Sequence, residues 1–321
     1  MHVPGIWWSL AWLILVATRL PVKSCGGQNA LKSLKDGGFV RSAKQAIRPA
    51  FLLMLLLPFR CADAAESLEI GVWPYMSTQA LLTLYHPLQI YLEHRLQRPV
   101  LFVTARDQKT FVDRTERGEY RFVVTAPHFA RLAQKEAGYV PMLRPERNLI
   151  CLLLVDSNSP MLGIGDLRGK RVTLPGKFTI VSMLTLWALR ASGMEPGRDF
   201  TVRYAESHNN AVLDVLRGES SAAAVAATIL DQMPADEKGK VRVLAMTGEV
   251  TPLVWLANPE VPRKEISDMS RIILDFAENT RDGAKFMKKL AWHGLRAPTE
   301  KEMQSLDPYV AELNKLLKSN R

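Results

Sequence analysis

Cysteine is scarce: the chain has three, Cys25, Cys61 and Cys151. The first two fall in the N-terminal stretch that reads below as a leader, which leaves Cys151 alone in the body of the protein. An intramolecular disulfide and a cysteine-based zinc cluster are thereby excluded there. Cys151 sits inside the apolar run Leu149 to Val155, the setting of a buried structural thiol rather than of a nucleophile. Sequence signatures of catalysis are missing too. There is no HExxH pair, no GxSxG turn, no phosphate loop and no GxGxxG after a strand. Leu162-Gly163-Ile164-Gly165 lacks the Lys and Ser/Thr that a phosphate loop needs. The five histidines beyond the leader, His86, His94, His128, His208 and His293, show no metal-ligand spacing, so neither a metal nor a cofactor is expected. No fixed short repeat is visible, which excludes a solenoid.

Net charge is +10 over 321 residues, yet it is unevenly placed. Residues 1–64 hold Arg19, Lys23, Lys32, Lys35, Arg41, Lys44, Arg48 and Arg60 against Asp36 and Asp63, and so carry more than half of the excess. What remains is small and has no Arg/Lys runs interleaved with aromatics, so a nucleic-acid partner is not expected. With 47% hydrophobic and 23% charged residues the chain can bury a substantial core.

Basic residues Arg41, Lys44 and Arg48 precede the apolar run Ala50 to Phe59, and Ala62 and Ala64 follow at the spacing of a signal-peptidase site. The run is too short to span a bilayer alone. Residues 1–64 are therefore expected to be a leader cut after Ala64, with export to the periplasm. Pro58, Phe59 and Arg60 do not fit the residues that precede a lipidated cysteine, so Cys61 is not expected to carry lipid. A second apolar stretch, Gly5 to Ala17, stands upstream. It is either an uncleaved anchor or a sign that the start is over-extended, a start near Val40 leaving a leader of ordinary length.

From Ser67 onward short apolar runs alternate with helical periodicities. Strands are expected at 68–73, 100–104, 121–125, 139–143 and 149–155, with helices at 79–97, 109–117 and 127–137. Pro87 is expected at a bend in the first of these helices. The pattern then restarts. Strands at 171–174, 200–204, 222–225 and 241–246 alternate with helices at 179–191, 209–216 and 228–233, and a short helix stands at 164–167. A returning strand at 252–257 leads to helices at 263–279, 283–290 and 300–318. This order predicts an α/β protein of two lobes with two mixed, mainly parallel sheets and a ligand cleft between them. Lobe 1 is expected from 66–153 plus 250–321, and lobe 2 from 154–249. Sites in open α/β sheets lie beyond the carboxyl ends of strands, which directs attention to the loops 74–78, 126–129, 175–179, 206–210 and 226–228.

At those loops the chain resembles the phosphate/phosphite/phosphonate-binding proteins of ABC importers, a branch of the type II periplasmic binding fold. The resemblance rests on Leu68-Glu69-Ile70-Gly71-Val72 followed by Pro74-Tyr75, on Phe122 to Pro127, on Asp166-Leu167-Arg168-Gly169-Lys170-Arg171-Val172, and on Ser207-His208-Asn209-Asn210-Ala211-Val212 leading to Gly218-Glu219. It implies a solute-binding protein, not an enzyme, that captures a small anion, a phosphorus oxyanion such as phosphate, phosphite or phosphonate, and delivers it to an ABC permease in the inner membrane. The chain is expected to act as a monomer. Two alternatives stay open at this point: a ligand sensor that docks on a membrane receptor or sensor kinase, and a two-lobed enzyme on the same fold.

The ligand-binding residues expected are Tyr75, His128, Lys177, Thr179, Ser207 and His208. Tyr75 follows the first strand, and His128 stands in a first helical turn behind Pro127. Thr179 and Ser207 fit helix caps, and His208 begins a helix where an imidazole can donate to an anion. Two departures from the family pattern matter. Its Ser-Thr-Ser-Gly type loop reads Gly176-Lys177-Phe178-Thr179-Ile180-Val181-Ser182 here, and no acidic residue follows the strand near Val225. A ligand with a free amine would lack a carboxylate partner for its cation there.

Overall fold

The structure, a computed structural model, describes residues 67–319. The expected leader, its cleavage site, Cys25, Cys61 and the stretch 5–17 lie outside the described residues.

Strand β1 (Leu68–Val72) buries Leu68, Ile70 and Val72. Helix α1 (Thr78–Leu96) is started by Ser77, whose hydroxyl accepts from the Ala80 N–H at 3.3 Å. Its inner stripe, Leu81, Tyr85, Leu88 and Leu92, repeats at three and four residues, the spacing of one helix face. That stripe packs on the sheet, and the helix continues through Pro87 instead of ending there. Next come β2 (Val100–Val103), α2 (Gln108–Glu116) capped by Asp107, β3 (Phe122–Thr125), α3 (Pro127–Ala137) with its proline in the first turn, and β4 (Val140–Pro145).

The second half begins with β5 (Leu149–Asp156) and a 3₁₀ turn at Ile164–Leu167. It continues through β6 (Arg171–Leu174), α4 (Ile180–Ala191), β7 (Thr201–Tyr204), α5 (His208–Leu216) and β8 (Ala222–Ala226). Two short helices, α6 (Ala227–Gln232) and α7 (Ala235–Lys238), then lead into the ten-residue β9 (Val241–Val250). The chain returns through β10 (Val254–Ala257), α8 (Arg263–Asn279), α9 (Arg281–Lys289) and a two-residue strand β11 (Leu295–Arg296). It finishes with α10 (Glu300–Gln304) and α11 (Asp307–Ser319). The single helix expected over 300–318 is thus two, the second starting at Asp307 with Pro308 behind it.

Two sheets result, ordered β11-β4-β10-β3-β1-β2 and β7-β6-β8-β5-β9. In the first, β1 runs parallel to β2 and β3, and β10 is antiparallel to β3 and β4. In the second, β6 is parallel to β7 and β8, while β5 is antiparallel to β8 and β9. This is the α/β architecture of two mixed sheets that the sequence leads one to expect. Strand β5 pairs along its whole length with β9 and over Cys151–Leu154 with β8, and residues 146–148, the first crossing, connect it to β4 of the first sheet. The return crossing lies between Val250 and Val254.

Arg144 braces the first crossing. It is buried to 1% exposure and donates to the Pro145 and Glu146 carbonyls, to Asn148 Oδ1 at 2.5 Å and to Glu302 of α10 at 2.6 Å. Asn148 in turn donates to Glu249 near the return crossing. The last helix touches both halves: Arg131 of α3 pairs with Asp307 at 2.8 Å, and Tyr309 stacks on Trp187 of α4 at 4.8 Å between ring centres.

Candidate functional site

Strands β1 and β3 both end at the same edge of the first sheet, because they run parallel. Strand β10 is antiparallel to β3 with Val254 opposite Thr125, so the start of β10 lies at that edge too. Tyr75, Thr125, His128, Thr251 and Trp255 therefore gather there. All five carry a buried polar atom with no hydrogen-bond partner: Tyr75 Oη, Thr125 Oγ1, His128 Nδ1, Thr251 Oγ1 and Trp255 Nε1. Such atoms are expensive to leave unpaired. Tyr85, on the inner face of α1, adds a phenol beside Tyr75. Burial pushes the Tyr75 hydroxyl up to about 12, offset in part by Tyr85, and also raises Tyr85 well above its ordinary value. Both phenols are consequently neutral groups that can donate.

In the second sheet the matching edge holds the loops after β6, β7 and β8. The turn after β6 depends on Gly176, whose φ of +89° is the left-handed region that a side chain would strain. Its carbonyl accepts from Ser182 Oγ at 2.7 Å. Thr179 Oγ1 donates to Ser182 Oγ at 2.8 Å and accepts from the Ser182 N–H, so the Thr179 hydroxyl works as the cap of α4. Two N–H groups of that first turn, those of Ile180 and Val181, have no acceptor within the helix. Lys177, half-buried, lies in the same loop.

Ser207 caps α5 by accepting from the Asn210 N–H at 3.1 Å. His208 follows, and its Nδ1 accepts from the Ala226 N–H at 3.4 Å. A backbone N–H can only donate, so the proton of this imidazole sits on Nε2, which becomes a donor held at the start of α5. Burial lowers the His208 pKa to about 4, and the ring is neutral at physiological pH.

The two edges meet at His128. This residue is wholly buried in the first turn of α3, and its Nε2 lies 2.8 Å from the Phe178 carbonyl in the loop after β6. The structure thus brings His128 together with the Lys177–Thr179 segment from the other half of the molecule. Tyr75 joins a different group, around Tyr85, while Ser207 and His208 are tied to Ala226. Residues that sequence reading passed over are Tyr85, Thr125, Thr251, Trp255 and the Phe178 carbonyl. Thr125, directly before Ala126-Pro127 at a strand end, was the only one with a local signal.

Among the described residues no group of His, Cys, Asp or Glu could hold a metal ion, and no helix is long and apolar enough to cross a membrane. Cys151 is buried and free, and burial raises its thiol to about 12.

No curated protein matches the sequence. Among solved structures, PhnD1 of Prochlorococcus marinus in complex with methylphosphonate superposes with a TM-score of 0.67 at 14% identity, covering 78% of this chain and 98% of its own. A Xanthomonas citri protein bound to ATP gives 0.65 at 19% identity, covering 78% and 99%. The periplasmic aliphatic sulphonate binding protein SsuA of Escherichia coli gives 0.54 at 18% identity, covering 78% and 94%. At these identities the likeness is one of fold. The family model for the periplasmic phosphonate substrate-binding protein of ABC transporters matches residues 70–303. The chain belongs to that family of periplasmic substrate-binding components, which work with an ABC permease.

Proposed function

We propose that the chain binds a small oxyanion of phosphorus (phosphate, phosphite or a simple alkylphosphonate) between the two sheet edges and presents it to the permease as a monomer, after export by its leader. The observation that carries this reading is His208. Its Nδ1 is engaged by the Ala226 N–H, which fixes a neutral Nε2–H donor at the start of a helix. The first turns of α3, α4 and α5 add backbone N–H groups that have no acceptor within their helices, and these favour negative charge. Tyr75 and Lys177 supply a further hydroxyl and a positive charge, while Thr179 and Ser207 hold the helix starts in place. A methylphosphonate-bound relative of the same fold supports the ligand class. The missing acidic residue after Val225 argues for ligands without an amine.

A thermal-shift screen with phosphate, phosphite and methylphosphonate tests the reading. A bound anion at 100 times its dissociation constant stabilises by about 2.7 kcal/mol. His208→Ala is expected to weaken the best ligand by about 1–3 kcal/mol, the value of a hydrogen bond to a charged group. No shift with any of these anions would remove the assignment and leave the fold standing.

A further inference from the structure

His128 presents a chemical asymmetry. Its Nε2 lies 2.8 Å from the Phe178 carbonyl, which can only accept, so Nε2 carries the proton. Nδ1 is then a bare lone pair. It is buried, it has no partner, and the ring is fully enclosed beside Phe129, with ring centres 4.3 Å apart. The ring also spans the two sheet edges between which the proposed anion lies. A buried acceptor in that position calls for a donor, and none among the described residues supplies one.

We propose that His128 reads a proton on the ligand: Nδ1 accepts a hydrogen bond from an O–H of the bound anion, which selects monoprotonated phosphorus oxyanions over sulfonates. This rests on the oxyanion reading above and narrows it. An alkylphosphonate monoanion and an alkylsulfonate have the same tetrahedral shape and the same single charge. They differ in one respect: the phosphonate keeps an O–H, and the sulfonate at neutral pH has three acceptor oxygens and no proton. Against Nδ1 a sulfonate sets one lone pair facing another, and the buried acceptor stays unpaired. Sites built to pair a ligand hydrogen reject analogues that lack it far more strongly than apolar pockets sort by size. Relatives of this fold named for phosphonate and for sulphonate both exist, so the fold itself leaves the choice to individual side chains.

Calorimetric titration of the whole chain with methylphosphonate and methanesulfonate, at one pH below the second ionisation of the phosphonate, tests the inference. Wild type is expected to favour methylphosphonate at least tenfold. His128→Gln can still donate to the Phe178 carbonyl but offers no acceptor at the Nδ1 position, and the preference should collapse towards one. His128→Asn sets an amide oxygen near the Nδ1 position and gives up the contact to Phe178; both affinities should fall while the preference persists. Should the variants fold poorly, wild type alone decides. Above the second ionisation of methylphosphonate, binding should take up one proton, read from heats in buffers of different ionisation enthalpy, and methanesulfonate binding should take up none. Equal binding of the two anions by wild type, an unchanged preference in His128→Gln, or methylphosphonate binding without proton uptake would overturn this inference alone. Binding of neither anion would overturn this inference, and the oxyanion reading with it where phosphate and phosphite are not bound either.

Discussion

His128 and His208 show how position, more than residue type, decides what an imidazole does. Each is held neutral by burial, with a pKa lowered to about 4, and each has one ring nitrogen committed to the backbone. At His208 the committed atom is Nδ1, leaving a donor. At His128 it is Nε2, leaving an acceptor. The unfolded chain protonates a histidine near 6.5, so it binds protons that the folded state refuses between pH 6.5 and 4. Folding stability linked to His128 is therefore complete above pH 6.5 and is lost as pH falls through that window, by about 3 kcal/mol at most. Urea unfolding at pH 7 and at pH 4.5 should show this loss in wild type, and a smaller one in His128→Gln. A wild-type stability that does not change between these pH values would contradict the burial of a neutral ring. Sequence reading singled out both histidines from their places at helix starts. It could not assign donor and acceptor, because the Ala226 N–H and the Phe178 carbonyl lie 18 and 50 residues away.

At the scale of elements, the helices were legible wherever a cap and an apolar stripe coincide: Ser77 before Leu81, Tyr85, Leu88 and Leu92, or Thr179 before the buried face of α4. The strands were found, but their partners were not. Leu149 to Val155 is apolar throughout and would suit the centre of either sheet, and what places β5 in the second is its ladder with β9, some ninety residues on. Strand β11, of two residues, has no period to read. Arg144 was likewise silent in the sequence, since its partners come from the crossing and from α10. Its guanidinium is buried against Glu302, whose carboxyl is held down to about 2, chiefly by Arg296. Replacing Arg144 by Ala leaves Glu302, Asn148 and two carbonyls without this donor. Glu302 keeps Arg296 as a partner, so the cost is that of the hydrogen bonds lost, about 1–3 kcal/mol. Chemical denaturation of Arg144→Ala should show a loss of that order, and a loss under about 1 kcal/mol would mean that the crossing does not depend on this residue.

For the whole molecule, the two sheets meet at loops that carry helix starts, a neutral donor and a bare acceptor, while the chain passes between them at 146–148 and 251–253. Two connecting segments suit rigid-body closure around a ligand, and α11, which pairs with α3 and stacks on α4, spans both halves. None of this requires the ligand to be changed chemically. Equilibrium dialysis of the whole chain against phosphate, phosphite and methylphosphonate, each followed by phosphorus NMR of the bound fraction, tests the central claim most directly. One equivalent of one of these anions retained per chain and recovered unchanged is the result predicted; no retention of any of them, or recovery of a converted compound, would contradict the account.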